Sequence, residues 1–219
     1  MCIRDRARGV VQPKWLYASA PSQVSPGTRL SAHDTGRLEA TLVGSSVHEA
    51  LERVSYRGVS DWLDNREVWL RSLRAGLARR GLPSHRQNDA IERISTLLDR
   101  ALSGQGRWLV AAHPWARSEY AVNGRLDGHI VQGVIDRCFE TQDGELWIVD
   151  YKSNTPPCDR HASEWHASLA EEYGTQLSRY ASLLQSLRQK PARRLLYLLH
   201  TDELLELTDN GPFILKHSA

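Results

Sequence analysis

The stretch ELWIVDYK, residues 145–152, decides how this chain is read. Its middle, from Leu146 to Val149, is apolar on both faces, which is the pattern of a strand in the centre of a covered sheet. Successive strand side chains point to opposite faces, so Asp150 and Lys152 share one face with Leu146 and Ile148. An acid and a base there need compensation, because burying an uncompensated charge is costly. Upstream, Asp143-Gly144 marks a tight turn and residues 128–140 read as a second strand. A third strand, 116–122, is expected to turn at Asn123-Gly124, a strong two-residue hairpin signal. On the second strand Asp136 falls in phase with Val134 and Cys138, and the hairpin to 145–152 would bring it beside Asp150. Downstream, Pro156-Pro157 makes SNTPPCDR a loop. A helix is expected over 171–188, with Pro191 just beyond it, followed by strands at 193–200 and 203–208.

The first half of the chain has a helical period. Residues 7–46 are rich in Pro, Ser, Gly, Thr and Ala and read as a lead-in. Ser46 and Glu49 have capping-box spacing, and Val47, Ala50, Leu51 and Val54 follow at helical intervals. Residues 60–80 form the next expected helix, with Trp62, Leu63, Trp69, Leu70, Leu73 and Leu77 inward, and Gly81 and Pro83 as its stop. Another spans 87–102, with Ile91, Ile94, Leu97, Leu98 and Ala101 on one face. The expected organisation is an irregular lead-in over 1–43 and one domain over 44–219. Within that domain a helical segment, 44–104, precedes a sheet core, 107–208. Residues 1–6 (MCIRDR) are set aside as artefactual, and the chain is expected to be the tail of a longer protein. The order of elements gives an α/β class with a central mixed sheet flanked by helices.

Composition excludes little. The 219 residues are 41% hydrophobic and 25% charged, with a formal net charge of +2, so overall charge neither requires nor forbids a nucleic-acid partner. Two stretches are locally basic: 71–93, with Arg71, Arg74, Arg79, Arg80, Arg86 and Arg93, and 188–194, with Arg188, Lys190, Arg193 and Arg194. Either is a solvated face or a set of phosphate contacts. The three cysteines, Cys2, Cys138 and Cys158, have no zinc or iron–sulfur spacing and suit a reducing compartment. No apolar run has the length of a membrane span, and no apolar segment of a signal peptide follows the N-terminus.

Two converging carboxylates repel, and a divalent cation removes that penalty. Oxygen ligands of this kind suit Mg²⁺ or Mn²⁺, which also lower the pKa of a coordinated water. A neighbouring lysine can orient that water or stabilise charge developing on phosphorus. Asp136, Asp150 and Lys152 therefore suffice for phosphodiester hydrolysis, although a structural Asp–Lys pair at a strand end would explain the tripeptide alone. His48 flanks the apolar stripe of the first helix. Glu119 lies in RSEYAV on the strand before Asp136. Gln176 and Tyr180 are four apart on one helix face, where their polar ends can hold a phosphate or a catalytic group. Asp34-Thr35-Gly36 matches the aspartic-protease tripeptide but lacks the apolar strand flanks that chemistry needs. In HEALE, Glu52 stands where a zinc-protease helix carries its second histidine. No GxxxxGK[ST] is present to cradle ATP.

GSSVHEALE, SEYAV, GVIDRCF, IVDYKSN and QLSRYASLL occur in that order over roughly residues 44–208. Together they resemble the C-terminal nuclease domain of the RecB and AddA helicase-nucleases, a branch of the PD-(D/E)XK nucleases. The resemblance implies a restriction-endonuclease-like core and an Mg²⁺-dependent deoxyribonuclease. His48, Asp136, Asp150 and the backbone carbonyl of Tyr151 match the family's metal ligands. Lys152 matches its catalytic lysine, Glu119 an additional acid, and Gln176 and Tyr180 the helix motif beside the site. Ile135 stands where the superfamily name has proline, as is common in this branch. The implied partners are DNA, a helicase domain on the missing N-terminal part of the same polypeptide, and a second helicase-nuclease subunit. The implied setting is the cytoplasm, at the nucleoid of a bacterium, in double-strand break repair and recombination. Two other readings stay open: a catalytically silent DNA-binding or scaffolding module, and a stand-alone nuclease of the same superfamily.

Overall fold

The structure is a computed structural model and describes residues 32–217. Five helices come first: α1 (Ala32–Arg57), α2 (Val59–Asp64), α3 (Arg66–Arg79), α4 (Ser84–Ser103) and α5 (Gly106–Val110). Strands β1 (Trp115–Leu126), β2 (His129–Glu140) and β3 (Leu146–Lys152) follow, then α6 (Ala162–Arg188) and strands β4 (Ala192–Leu198), β5 (Glu203–Thr208) and β6 (Gly211–Leu215). The six strands form one sheet in chain order, antiparallel except for β3 and β4, which are parallel because α6 crosses over between them. The mixed sheet and the preceding helical region agree with the expected α/β class. No described helix is long and apolar enough to cross a membrane.

Side-chain alternation divides the core in two. Trp147, Val149 and Tyr151 of β3 pack with Leu195 and Tyr197 against α1, α4 and α5. Leu146 and Ile148 pack with Leu196 and Leu198 against Leu169, Leu177 and Leu184 of α6. β3 is therefore covered on both faces, which is why its middle carries no polar residue until Asp150. Arg137 is fully buried, and its guanidinium donates to the carbonyls of Leu109 and Ala111, both at 3.0 Å, and to Ser118 Oγ at 3.1 Å. It thereby satisfies the carbonyls at the end of α5 and ties that helix to the sheet.

Four expectations change. The lead-in expected to reach residue 43 is helical from Ala32, while residues 1–31 and the MCIRDR segment lie outside the described residues. Packing overrides composition there. Leu42 and Val43 are buried, and Glu39 is held by Arg86 and Arg93 at 3.6 and 3.0 Å. Asp34-Thr35-Gly36 consequently sits in a helix, away from any strand. The helix expected over 60–80 breaks at Asn65, and Leu63 is exposed. Gly106 opens the short α5, an added helix, and β6 is an added edge strand. The β1–β2 turn falls at Asp127-Gly128, whose φ angles are 48° and 80°, the left-handed pair a two-residue hairpin requires. Asn123-Gly124 lies inside β1, paired with Gln132 and Val131. Gly124 is there because α6 packs on it: a Cβ would lie 2.5 Å from Leu183 Cδ2.

Gly133 has the same cause, since a Cβ would overlap the Tyr180 phenol of α6. Gly133→Ala should lower unfolding free energy by about 1–3 kcal/mol, the usual cost of overpacking. Urea titration checks this. Combined with Tyr180→Ala, the loss should be less than additive, because the two positions share one contact.

Candidate active site

β2 pairs with β3 only from Glu140↔Leu146 to Arg137↔Val149. Beyond Arg137 it stays with β1 and leaves β3, so residues 150–152 keep β4 on one side and lose their strand partner on the other. Asp136 stands at the fork. Its Oδ2 accepts the Tyr151 N–H at 2.8 Å, a side-chain bond in place of the missing ladder bond.

The pleat also reverses at this point. On β2, Cys138 faces α6 and Phe139 faces the helical layer. Towards the N-terminus the α6 face is instead made by Val131, Gly133 and Ile135. Asp136 sits at the reversal itself, so the expected common phase of Asp136 with both Val134 and Cys138 does not hold. β1 reverses in step: Ala116 and Ser118 face the helical layer, whereas Tyr120 and Val122 face α6. The reversal lies at Glu119, whose φ of 47° is left-handed and which drops out of the register between Ser118↔Arg137 and Tyr120↔Ile135. A left-handed non-glycine residue is strained, and such residues gather at functional sites. Glu119 and Asp136 thereby turn towards α1.

α1 brings His48. Its Nδ1 is 3.3 Å from Asp136 Oδ2, and it meets the Tyr151 ring edge-on at 5.6 Å between centroids. The helix comes this close through Gly44, where a Cβ would lie 2.8 Å from Ser153 Oγ. On the other side Lys152 Nζ is 2.6 Å from Asp150 Oδ2 and 3.6 Å from the centroid of the Tyr173 ring on α6. Asp150 lies close enough for its charge to act on Asp136. His48, Asp136, Asp150, Tyr151 and Lys152, from two strands and a helix, meet at one point.

Burial dominates the electrostatics. It raises the Asp136 pKa well above the ordinary value, and the nearby Asp150 charge adds to the rise. It lowers that of His48, which keeps the imidazole neutral and able to ligate. Glu119 is raised by burial and by Glu52 and Glu49 of α1.

Gln176 and Tyr180 stand somewhat apart. Gln176 donates to the Tyr180 hydroxyl at 3.0 Å, and Tyr180 lies over Gly133, three residues before Asp136. The α6 residue that contacts the lysine is Tyr173, which sequence reading missed. It precedes Gln176 by three positions and Tyr180 by seven, so it shares their helix face, and that spacing was the available signal. The basic stretch 188–194 is engaged in ion pairs: Arg188 and Lys190 with Glu140, Arg193 with Glu145 and Glu206, and Arg194 with Asp209. In 71–93, Arg80 pairs with Glu49, and Arg86 and Arg93 with Glu39. Among the described residues Arg71, Arg74 and Arg79 of this stretch make no ion pair with a carboxylate.

Among the described residues, no group of three His, Cys, Asp or Glu side chains is set at metal-binding spacing. The donor chemistry nonetheless fits a hard dication. Two nearby carboxyls, one pushed towards protonation by burial and by its neighbour, lie beside a neutral imidazole and the Tyr151 backbone.

A mixed six-stranded sheet that splays beside an Asp/Asp/Lys set is a restriction-endonuclease-like fold with the acid–acid–lysine pattern of nucleases. The chain belongs to the PD-(D/E)XK nuclease superfamily, whose family model matches residues 24–211. No curated protein matches the chain.

Proposed function

We propose that this domain hydrolyses DNA phosphodiester bonds with Mg²⁺ or Mn²⁺. We further propose that it is the C-terminal exonuclease domain of a RecB/AddA-type helicase-nuclease. Its helicase would lie on preceding sequence of the same polypeptide, with a second helicase-nuclease subunit as partner. Its setting would be bacterial double-strand break repair and recombination, in the cytoplasm at the nucleoid. The observation that carries the reading is the meeting of His48, Asp136, Asp150, the Tyr151 backbone and Lys152 where β2 leaves β3. A silent DNA-binding module would have no need of a raised carboxyl beside a second acid and a lysine.

Asp136, Asp150, His48 and the Tyr151 carbonyl would hold the cation. When bound, it supplies Lewis-acid polarisation of the phosphoryl oxygen and a water of lowered pKa. The residues themselves do the rest. Lys152 reaches the site from the same strand face as Asp150, so its ammonium can orient the attacking water or hydrogen-bond the oxygen that gains charge. Tyr173, under that ammonium, restricts where it can swing. Glu119 can accept a proton or anchor a water on the α1 side, and its raised pKa favours the proton-carrying role. Gln176 and Tyr180 can support the strand approaching over Gly133.

Purified domain incubated with single- and double-stranded DNA should cut in millimolar Mg²⁺ or Mn²⁺. It should stop in EDTA and recover when the ion is restored. Cleavage indifferent to EDTA would sink the proposal, as would inertness with every divalent ion tried. Sequencing the coding DNA upstream of residue 7 tests the helicase context separately.

A further inference from the structure

One helix face round from His48, a cleft of about 150 Å³ opens between α1 and α3, with Glu49, Arg53, Trp69, Gly76, Arg79 and Arg80 on its walls. Its floor is a glycine in the interior of a helix, where glycine is unfavourable relative to almost any other residue. A Cβ on Gly76 would meet the Arg80 Nη2 at 3.7 Å and the Arg79 Nη2 at 3.9 Å. Two guanidinium ends thus converge on the small space left by the missing side chain. On α1, Arg53 sits over Trp69, its Cζ 4.0 Å from the ring centroid, a contact that holds the guanidinium without neutralising it. Arg80 shares its charge with Glu49 at 3.0 Å. Arg53 and Arg79 have no carboxylate partner among the described residues, unlike most of the basic residues the sequence singled out. Three guanidiniums around one acid leave a net positive cleft, and planar guanidinium forks match phosphate oxygens.

The cleft adjoins the active site through α1. Glu49 follows His48 directly, lines the cleft, and is close enough to Glu119 to raise its pKa. At roughly 100° per residue, Arg53 lies about 140° round the helix from His48. A strand whose scissile phosphate sits at His48 and Asp136 would reach the cleft by following the α1 surface.

We propose that this cleft binds a backbone phosphate of the nucleic-acid strand held in the active site, with Arg53 and Arg79 as the contacting cations and Gly76 as the gap that admits the phosphate. The proposal rests on the nuclease reading for the identity of the strand. The shared chemistry is a phosphate dianion or diester, so a free phosphate is the alternative source.

The test is fluorescence anisotropy with a labelled single-stranded oligonucleotide in EDTA, across a salt series. Arg53→Ala/Arg79→Ala should weaken binding tenfold or more. It should also flatten the dependence of log affinity on log salt by about 1.4, at roughly 0.7 for each lost single-strand contact. Gly76→Leu provides a second variant, whose Tm separates lost binding from lost folding. Leucine favours the helix, so its Tm should hold or rise while its side chain fills the gap and weakens the oligonucleotide comparably. Parent-like affinity and salt slope in both variants would overturn the proposal. A parent Tm raised by inorganic phosphate and no longer raised in Gly76→Leu, with oligonucleotide affinity untouched, would mark a free-phosphate site and overturn it as well. The two readings fail separately. If the parent cuts DNA yet neither variant weakens binding, the cleft assignment falls alone. If both variants weaken binding and the parent cuts no DNA with any divalent ion, the nuclease reading falls and the cleft stands.

Discussion

Lys152→Ala should lower turnover on DNA by about 100- to 1,000-fold, the loss typical of removing one donor aimed at developing charge. The ammonium is 2.6 Å from Asp150 and restrained over Tyr173, so it is already positioned and little of its effect depends on reorganisation. Asp150→Ala should abolish cleavage to a similar or greater extent by removing a carboxylate ligand. Because the two residues act as one unit, the double variant should be scarcely worse than the poorer single one. Binding of the uncut strand should change little, since neither side chain belongs to the α1–α3 cleft. Single-turnover assays with matched circular dichroism spectra provide the measurement. A Lys152→Ala protein that turns over at the parental rate would remove the lysine from the mechanism.

The second large effect is expected at Asp136, with opposite signs on activity and stability. Asp136→Asn should eliminate cleavage while raising the stability of the metal-free domain by about 1 kcal/mol, equivalent to roughly 2–4 °C in Tm for a domain of this size. Asparagine keeps an oxygen to accept the Tyr151 N–H and removes a buried negative charge that lies against Asp150. The pH dependence has a definite sign. The folded-state pKa of Asp136 is raised above the ordinary value of 3.8, so between those two values the folded state binds more protons than the unfolded state. Stability contributed by this group is present at low pH and is lost as pH rises through that window. The parent should lose stability over that range more steeply than Asp136→Asn, as thermal melts in EDTA at several pH values will show. Adding Mg²⁺ should then raise the Tm of the parent and leave that of the variant unchanged. An Asp136→Asn protein less stable than the parent at neutral pH would mean that the carboxylate is a net stabiliser.

Much of this was legible from local pattern. β2, β3 and α4 lie close to their expected bounds, because their signals are a strand run closed by Asp143-Gly144 and a helical stripe closed by glycine. The expected site residues His48, Asp136, Asp150 and Lys152 do meet, since alternation along β3 and a short β2–β3 connection leave them few other arrangements. Errors arose wherever a residue had been chosen for something distant in sequence. Asn123-Gly124 looked like a turn because glycine permits one, whereas the cause was Leu183 on α6. The lead-in looked irregular because Pro, Ser and Gly dilute it, yet from Ala32 it coils against α4. The basic stretches were readable as solvated faces or as phosphate contacts, and most of their charges meet carboxylates that the fold brings to them.

By itself, then, the sequence determined most of the strand and helix succession, though not α5, β6 or the break at Asn65, and the residue types able to carry hydrolysis, because period, turn chemistry and alternation are local properties of a chain. Only the tertiary structure decided that the pleat reverses at Glu119 and Asp136, that Tyr173 rather than Gln176 lies under the lysine, and which arginines keep a free charge. Each of these depends on which distant surfaces share a small volume, and close packing settles that for the whole molecule at once.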